Sequence, residues 1–335
     1  MNGEAEPMIA LIKRQMEALG IVLGVVLPIL VRTGRRPVIF AKYSGIGDII
    51  CTFPAALELK KRHPGATFIY NCHAEYACLP RLGGVTETVT TSQNIGLVGY
   101  WYRFLLGGYY LFASDDDDPT STPKEVYIKD FGRVFGLSLS DEHPPLKSER
   151  ATVERMKSLL KKKGVNGPMA VIHTGPSWPV REWPRESWAG LAEDLARDGS
   201  AQVVQIGTSN HLVMGEGDKA PIPGTVSLMN ELTLEESVAL ISLAQLFVGI
   251  DSGLLHIAVS TGVPAMGLWG ATSPQFRFSE RNRRFFVVSR VECQGCHHRS
   301  PRLHWVTGCP YDIKCMKTIA VDEVARASRA GLGAS

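Results

Sequence analysis

Short, unbroken apolar runs recur along the chain at Val38–Lys42, Thr67–Cys72, Ala170–His173, Gln202–Ile206, Leu246–Ile250 and Ala265–Trp269. Each has the length of a buried strand. Between them lie segments with apolar residues at helical spacing: Ile49–Arg62, Thr152–Lys163, Arg185–Arg197, Leu234–Ala244 and Leu254–Thr261. Alternation of this kind predicts an α/β protein built from parallel strands with crossover helices. Gly262-Val263-Pro264 should stop the last of these helices, because proline cannot continue it and biases its predecessor out of helical angles. Pro54 is expected near the first turn of the helix after Val38–Lys42, where a missing N–H costs least. Weaker patterns predict a short helix near Glu75–Leu82, strands at Val85–Thr90 and Thr225–Leu228, and a helix over Lys124–Phe135. A change of composition at Leu139–Leu146, which contains His143-Pro144-Pro145, reads as a linker. It divides the chain into a first α/β domain at 37–145 and a second at 146–335. Two such domains facing each other would enclose a cleft.

Ahead of the first strand, Met8–Val31 is apolar but carries Lys13, Arg14 and Glu17. Its uninterrupted part, Ala18–Val31, is 14 residues long and contains Pro28, short of the roughly 20 residues that span a bilayer. Residues 1–36 therefore read as an apolar, amphipathic leader. It either rests on an anionic membrane surface or packs on the protein's own core. The run Tyr100–Phe112 (YWYRFLLGGYYLF) is strongly aromatic without a clear period. It could line an acceptor pocket, touch lipid or fill core. A net charge of +3 with scattered basic clusters gives no support for nucleic-acid binding. Asp115–Asp118, four acids before proline, reads as a solvated turn rather than a metal site.

The candidate chemistry begins at Asp251-Ser252-Gly253. A strand running straight into a helix leaves the helix's first N–H groups exposed, and with the helix dipole these form an anion site. The competing reading is that Asp251 or Ser252 only caps the helix. Gly45-Ile46-Gly47 lacks the third glycine of a dinucleotide fingerprint, Ile50 standing in its place, so NAD binding is not predicted.

Four segments in this order, SGIGDIICTFPAALELKKRHP, HTGPSWPVREWP, LTLEESVALISLAQLFVGIDSGLLHIAVSTGVP and LWGATSP, resemble the bacterial heptosyltransferases. These are glycosyltransferases of family 9 with the GT-B fold, two Rossmann-like domains. The resemblance covers roughly residues 37–325. It implies an inverting transfer of a heptose or related sugar from an ADP-activated donor to a glycan, lipopolysaccharide-core or other hydroxyl acceptor, with no cofactor required for catalysis. It implies that Asp48 is the general base, with Ser44, Gly45 and Gly47 on the acceptor side. It places Thr174, Gly175, Arg181, Ser209, Leu232, Asp251, Ser252, Gly253 and His256 around the donor. Arg181 stands where the family usually has lysine, and would neutralise the departing diphosphate. One departure is evident: Thr208-Ser209-Asn210-His211 holds no carboxylate where many relatives place an acid for the donor ribose. The nucleotide could therefore differ from ADP, and two rivals stay open: a non-catalytic nucleotide-sugar-binding scaffold and a nucleotide-sugar epimerase. Lipopolysaccharide synthesis would place the enzyme in the cytoplasm, peripheral on the inner membrane's cytoplasmic face.

Of seven cysteines, Cys51, Cys72 and Cys78 lack metal spacing and read as buried thiols. Cys293, Cys296, Cys309 and Cys315, within a Cys-rich loop at 290–318, have a spacing that could close a structural zinc or iron site. His297, His298 and His304 are alternative ligands. Some relatives that modify surface adhesins carry a cysteine cluster here that looks like an iron site.

Overall fold

Every long apolar run becomes a parallel strand, and the intervening helical patterns become the crossovers. The structure, a computed structural model, describes residues 5–43, 45–92, 94–112, 125–175, 178–197, 199–211, 215–216, 220–298 and 309–333. The chain forms two compact units, Met1–Asp116 with Phe131–Leu139, and Asp117–Asp130 with Ser140–Ser335.

In the first unit, helix α1 (Ala5–Ile21) passes through a π-helical turn (Val22–Val26) into α2 (Leu27–Thr33). Gly34 ends it in the left-handed conformation, φ 65°. Strand β1 (Val38–Ala41) follows, then α3 (Ile46–Arg62), β2 (Phe68–Cys72), α4 (Leu79–Leu82), β3 (Val89–Thr91), α5 (Ile95–Leu106) and β4 (Tyr109–Phe112). The sheet order is β3-β2-β1-β4, all parallel. The chain starts at β1, winds outward through β2 and β3, then returns to the other side of β1 for β4. That reversal puts a switch point at the β1/β4 seam, where ligands of such sheets bind beyond the carboxyl ends. Residues 8–33 do not stand apart from this sheet. Ala18, Val22, Val26 and Ile29 are buried against Ile39, Ala41, Ile69, Val98 and Tyr102.

Three expectations change here. Helix α3 begins at Ile46 rather than Ile49, so Gly47 and Asp48 lie in its first turn and Pro54 lies inside it. The apolar spacing that marks α3 is silent over Ile46-Gly47-Asp48, which hid that turn. Pro54 thus costs one helix-interior hydrogen bond. The region expected as one helix at Glu75–Leu82 splits into a 3₁₀ turn (Ala74–Tyr76) and α4. The aromatic run Tyr100–Phe112 has no single period because it spans two elements, the end of α5 and strand β4. Gly107 turns between them at φ 60°.

Helix α6 (Tyr127–Val134) lies where the chain passes between the units. The second unit contains α7 (Arg150–Lys162), β5 (Met169–His173), α8 (Arg185–Arg197), β6 (Gln202–Gln205), a small antiparallel pair β7 (Asn210–His211) and β8 (Gly215–Glu216), and β9 (Val226–Ser227). Then come α9 (Leu234–Ile241), β10 (Leu246–Ile250), α10 (Gly253–Thr261), β11 (Ala265–Trp269), β12 (Val287–Val288), α11 (Lys314–Lys317) and α12 (Val321–Leu332). Helix α9 starts with a reciprocal capping box. Thr233 Oγ1 accepts from the Glu236 N–H, while the Glu236 carboxylate accepts from the Thr233 N–H at 3.0 Å. The six strands run in parallel in the order β12-β11-β10-β5-β6-β9. Again the chain starts centrally, at β5, winds one way to β9 and returns beside β5 at β10, making a second switch point. Trp183, Trp188, Leu191 and Leu195 fill the core on one side with Met316, Val324 and Ala325.

Candidate active site

In the second unit, the β5/β10 seam gathers most of the residues expected at a donor site. Thr174 and Gly175 follow β5, with Gly175 at φ 122°, a conformation that requires glycine. The Thr174 hydroxyl accepts from Gln205 Nε2 at 3.2 Å. After β10, Asp251 is buried and Ser252 occupies the N-cap of α10. Neither residue caps the helix: Ser252 makes no side-chain cap bond, and its Oγ is buried with no hydrogen-bond partner among the described residues. A buried hydroxyl left unpaired beside the orphan N–H groups of a helix is suited to an anionic ligand.

Arg181, in a 3₁₀ turn (Pro179–Arg181), leans on the same loop. Its Nη1 donates to the Asp251 carbonyl at 3.1 Å, and its Nε lies 3.4 Å from Asp251 Oδ2, with both side chains largely buried. A guanidinium carries five N–H donors in a planar fork whose geometry suits phosphate. One turn into α10, His256 is buried and its Nδ1 lies 2.8 Å from Nε2 of His143. The Phe278 ring packs on both imidazoles, at 4.7 Å from His143 and 4.5 Å from His256. Burial lowers the His143 pKa to about 3. Burial, reinforced by His143, Arg277 and Arg181, holds His256 well below the usual histidine range. Both rings are therefore neutral near pH 7, and His256 offers a ligand a hydrogen bond rather than a charge.

Ser209 and Leu232 sit on the flank of this seam, over β6 and β9. The Ser209 N–H and hydroxyl both donate to Asn230 Oδ1, at 2.7 and 3.2 Å, and Asn230 adopts φ 61°. Leu232 is half-buried in the loop before α9. This flank adjoins the seam closely. A Cβ on Gly207 would lie 2.9 Å from His173 Nδ1 and 3.4 Å from the Gly175 carbonyl oxygen. A cavity of about 500 Å³ opens beside β5 and β6, lined by Thr174, Gln205, Trp183 and Trp188 among others. It shares Thr174 with the seam and does not include the Asp251–Gly253 loop.

In the first unit, the β1/β4 seam carries Asp48 in the first turn of α3, half-buried. Gly45, the N-cap, has φ 85°, and a side chain there would run into Asp48 Oδ2. The carboxylate thus folds back over a position that only glycine fills. Gly47, directly before Asp48, is buried. The backbone of Gly45 hydrogen-bonds the Tyr76 hydroxyl. Burial, then Glu75, outweighs that bond and raises the Tyr76 pKa to about 12. Ser44 lies outside the described residues, as do Asp115–Asp118 and His304.

The sequence model of glycosyltransferase family 9 (heptosyltransferase) matches residues 118–306, more than half of the chain. The chain belongs to glycosyltransferase family 9. A lipooligosaccharide heptosyltransferase 2 of Haemophilus influenzae is 33% identical to this family 9 chain over 131 residues, 37% of it and 38% of the Haemophilus protein. The chain thus aligns with well under half of that relative's length. A lipopolysaccharide heptosyltransferase 1 of Pseudomonas aeruginosa is 22% identical over 310 residues, 77% of this chain and 85% of that one. Among solved structures, the iron-containing dodecameric glycosyltransferase TibC of enterotoxigenic E. coli H10407 superposes with a TM-score of 0.69 at 18% identity. The match covers 89% of this chain and 77% of TibC, which has also been solved in complex with ADP-D-β-D-heptose. The fold is GT-B, two Rossmann-like units each with its own parallel sheet.

Of the seven cysteines of this family 9 chain, Cys293, Cys296 and Cys315 lie at the carboxyl end of β11. Cys293 and Cys296 stand on a turn whose backbone is tied to the strand end, Gly295 N–H to the Gly270 carbonyl and His297 N–H to the Ala271 carbonyl. Cys315 packs on the same place, since a Cβ at Gly270 would lie 2.8 Å from its Sγ. Burial first, then Cys293, Cys296 and Cys309, raises the Cys315 pKa to about 11. Burial, Cys293 and Cys309 push Cys296 up in the same way. The thiols are neighbours of the right chemistry for zinc or iron, but no three of them converge within 4.8 Å among the described residues. As arranged here they do not fit a closed tetrahedral site, and no catalytic step is assigned to a metal.

Sequence reasoning missed His143 and Asn230. His143 stands in a proline-rich stretch that reads as linker, and only the fold brings it to His256. Asn230 carries the one available signal, a residue type that tolerates the left-handed conformation.

Proposed function

We propose that this protein is an inverting glycosyltransferase that moves a heptose, or a closely related sugar, from ADP-heptose to a hydroxyl group of a lipopolysaccharide-core or similar glycan. The second unit holds the donor. The nucleotide diphosphate sits at the β5/β10 seam, its negative charge taken by the N–H groups of α10, by Ser252 Oγ and by the positive charge of Arg181. Thr174 and Gly175 flank the phosphates, and neutral His256 hydrogen-bonds the sugar or phosphate edge. In the first unit Asp48 accepts the acceptor hydroxyl's proton. The freed oxygen bonds to the anomeric carbon as its bond to the phosphate oxygen breaks, and that electron pair leaves on ADP. One displacement of this kind inverts the anomeric configuration. A nucleotide-sugar donor places the reaction in the cytoplasm.

The observation that carries this reading is the buried, unpaired hydroxyl of Ser252 at the start of α10, with Arg181 anchored beside it by Asp251. In support, TibC was solved with ADP-D-β-D-heptose. The ribose carboxylate common among relatives is replaced by the Ser209–Asn230 pair, whose bond leaves the amide nitrogen of Asn230 to meet a ribose hydroxyl. The decisive experiment combines a thermal-shift screen of nucleotide sugars with a turnover assay on lipopolysaccharide-core acceptors. ADP-heptose should raise the melting temperature more than UDP- or GDP-sugars do. Asp48→Asn should keep that shift while losing about 10²–10⁴-fold in turnover. Binding without turnover by the unmodified protein would make it a scaffold, and sugar release or epimerisation without acceptor would make it an epimerase.

A further inference from the structure

One face of the first unit is apolar and exposed, and it is built from two elements far apart in sequence. Along α1 and α2, the stripe Ala18, Val22, Val26 and Ile29 is locked into the unit's core. On the remaining surface, Met8, Leu11, Ile12, Met16, Leu23 and Val31 are each between 47% and 76% exposed. Helix α5 continues this surface. Its Tyr100 and Phe104 are 57% and 68% exposed and lie stacked, 5.9 Å apart at an interplanar angle of 4°. Trp101 joins the two helices: its Nε1 donates to Gln15 Oε1 at 2.7 Å, while its ring meets Tyr100 at 5.4 Å and Phe104 at 6.0 Å. The leader and the aromatic run are thus parts of one surface.

We propose that this face lies flat on a phospholipid bilayer rich in anionic headgroups, with α1–α2 parallel to the membrane plane. Charge selects that occupant. Residues 8–36 carry Lys13, Arg14, Arg32, Arg35 and Arg36 against the single acid Glu17, and α5 adds Arg103 with no acid. Lys13, Arg14 and Arg32 are exposed on the same helix as the apolar side chains. Apolar side chains, amphipathic tyrosine and tryptophan rings, and long basic side chains together match the bilayer interface. A second copy of the chain is a poorer occupant, because like basic rims would oppose each other. Spanning is excluded by the packing, although Met8–Thr33 is long and apolar enough to cross, with a mean hydropathy of 1.9. Its buried stripe is held against β1, β2 and α5. A crossing helix would have to abandon that core or carry the open sheet's unpaired edges into hydrocarbon. This inference is independent of the transferase reading.

The test is flotation of the purified full-length protein with phosphatidylcholine vesicles, with and without phosphatidylglycerol. Binding should need phosphatidylglycerol, reverse on dilution and weaken with salt. Lys13→Gln with Arg14→Gln should lower the partition coefficient about thirtyfold. Tyr100→Ser with Phe104→Ser should lower it about tenfold or more. All four side chains are exposed, so both double variants should keep the parent's melting temperature, which separates lost docking from lost folding. The proposal is overturned by any of four results: no binding to phosphatidylglycerol vesicles, equal binding by the variants, irreversible insertion, or a lipid-free dimer that Phe104→Ser dissociates.

Discussion

Arg181 and Asp251 are tied together so closely that neither can be changed alone. The carboxylate is only 4% exposed, and deleting its cation strands a buried charge, which typically costs about 3–5 kcal/mol. Arg181→Ala should therefore lower the urea midpoint of unfolding without ligand, besides weakening nucleotide binding. Arg181→Lys keeps the charge but loses the fork that reaches both the Asp251 carbonyl and its carboxylate. It should recover part of the stability and less of the affinity. Equal midpoints for Arg181→Ala and the parent would show that the pair contributes nothing.

The His143–His256 pair sets a pH dependence. His256 is buried and His143 half-buried, and both rings are neutral, with folded pKa values below the unfolded value, about 3 for His143. Between about pH 6.5 and 3 the unfolded chain binds protons that the folded chain refuses, so stability is full above pH 6.5 and falls as pH drops through that window. Each ring contributes up to about 1.4 kcal/mol per pH unit there. Replacing His143 by Gln, which keeps a partner for His256, should remove one proton from the slope of unfolding free energy against pH from 6.5 to 4.5. An unchanged slope would place the titration elsewhere.

Among the elements, the loop that pins Cys293 and Cys296 to the end of β11 makes the clearest prediction. Thiols that pack at a strand end without converging contribute burial rather than ligation. Protein purified without chelator should carry well under one zinc or iron ion per chain by elemental analysis, and Cys315→Ser should lower the melting temperature through lost packing rather than lost metal. One ion per chain, held against chelator and lost in Cys315→Ser, would show that the four thiols close around a metal after all.

The elements that build the donor seam were the most legible in the sequence. Strand β10, Leu246–Ile250, and its neighbour β11, Ala265–Trp269, fall at their expected residues, because buried parallel strands are apolar runs and Gly262 with Pro264 punctuates the chain between these two strands. Where function bends the local rules, legibility fails. The start of α3 is concealed because Gly45 and Gly47 serve the placement of Asp48 and carry no apolar signal. Pro54 sits inside a helix where its local preference would put it outside. The β7/β8 pair is too short to show a period. His143 becomes part of the site through tertiary packing alone, which no local pattern encodes. Resemblance supplied the role expected of Asp48; the left-handed Gly45 under its carboxylate was visible only in the fold.

For the molecule as a whole, the winding of the second sheet bears on how the protein comes into being. The seam that holds Thr174, Gly175 and Ser252 exists only once Ala170 has found Leu246, after the chain has completed every turn of β6 and β9. Long-range parallel pairing of this kind is slow to form, because loop closure is costly before any contact rewards it. On dilution from denaturant, helical circular dichroism should return first and the capacity to bind nucleotide last. A newly made chain would then stay blind to its donor until its sheet has closed around the centre, and a bound nucleotide would certify a finished fold.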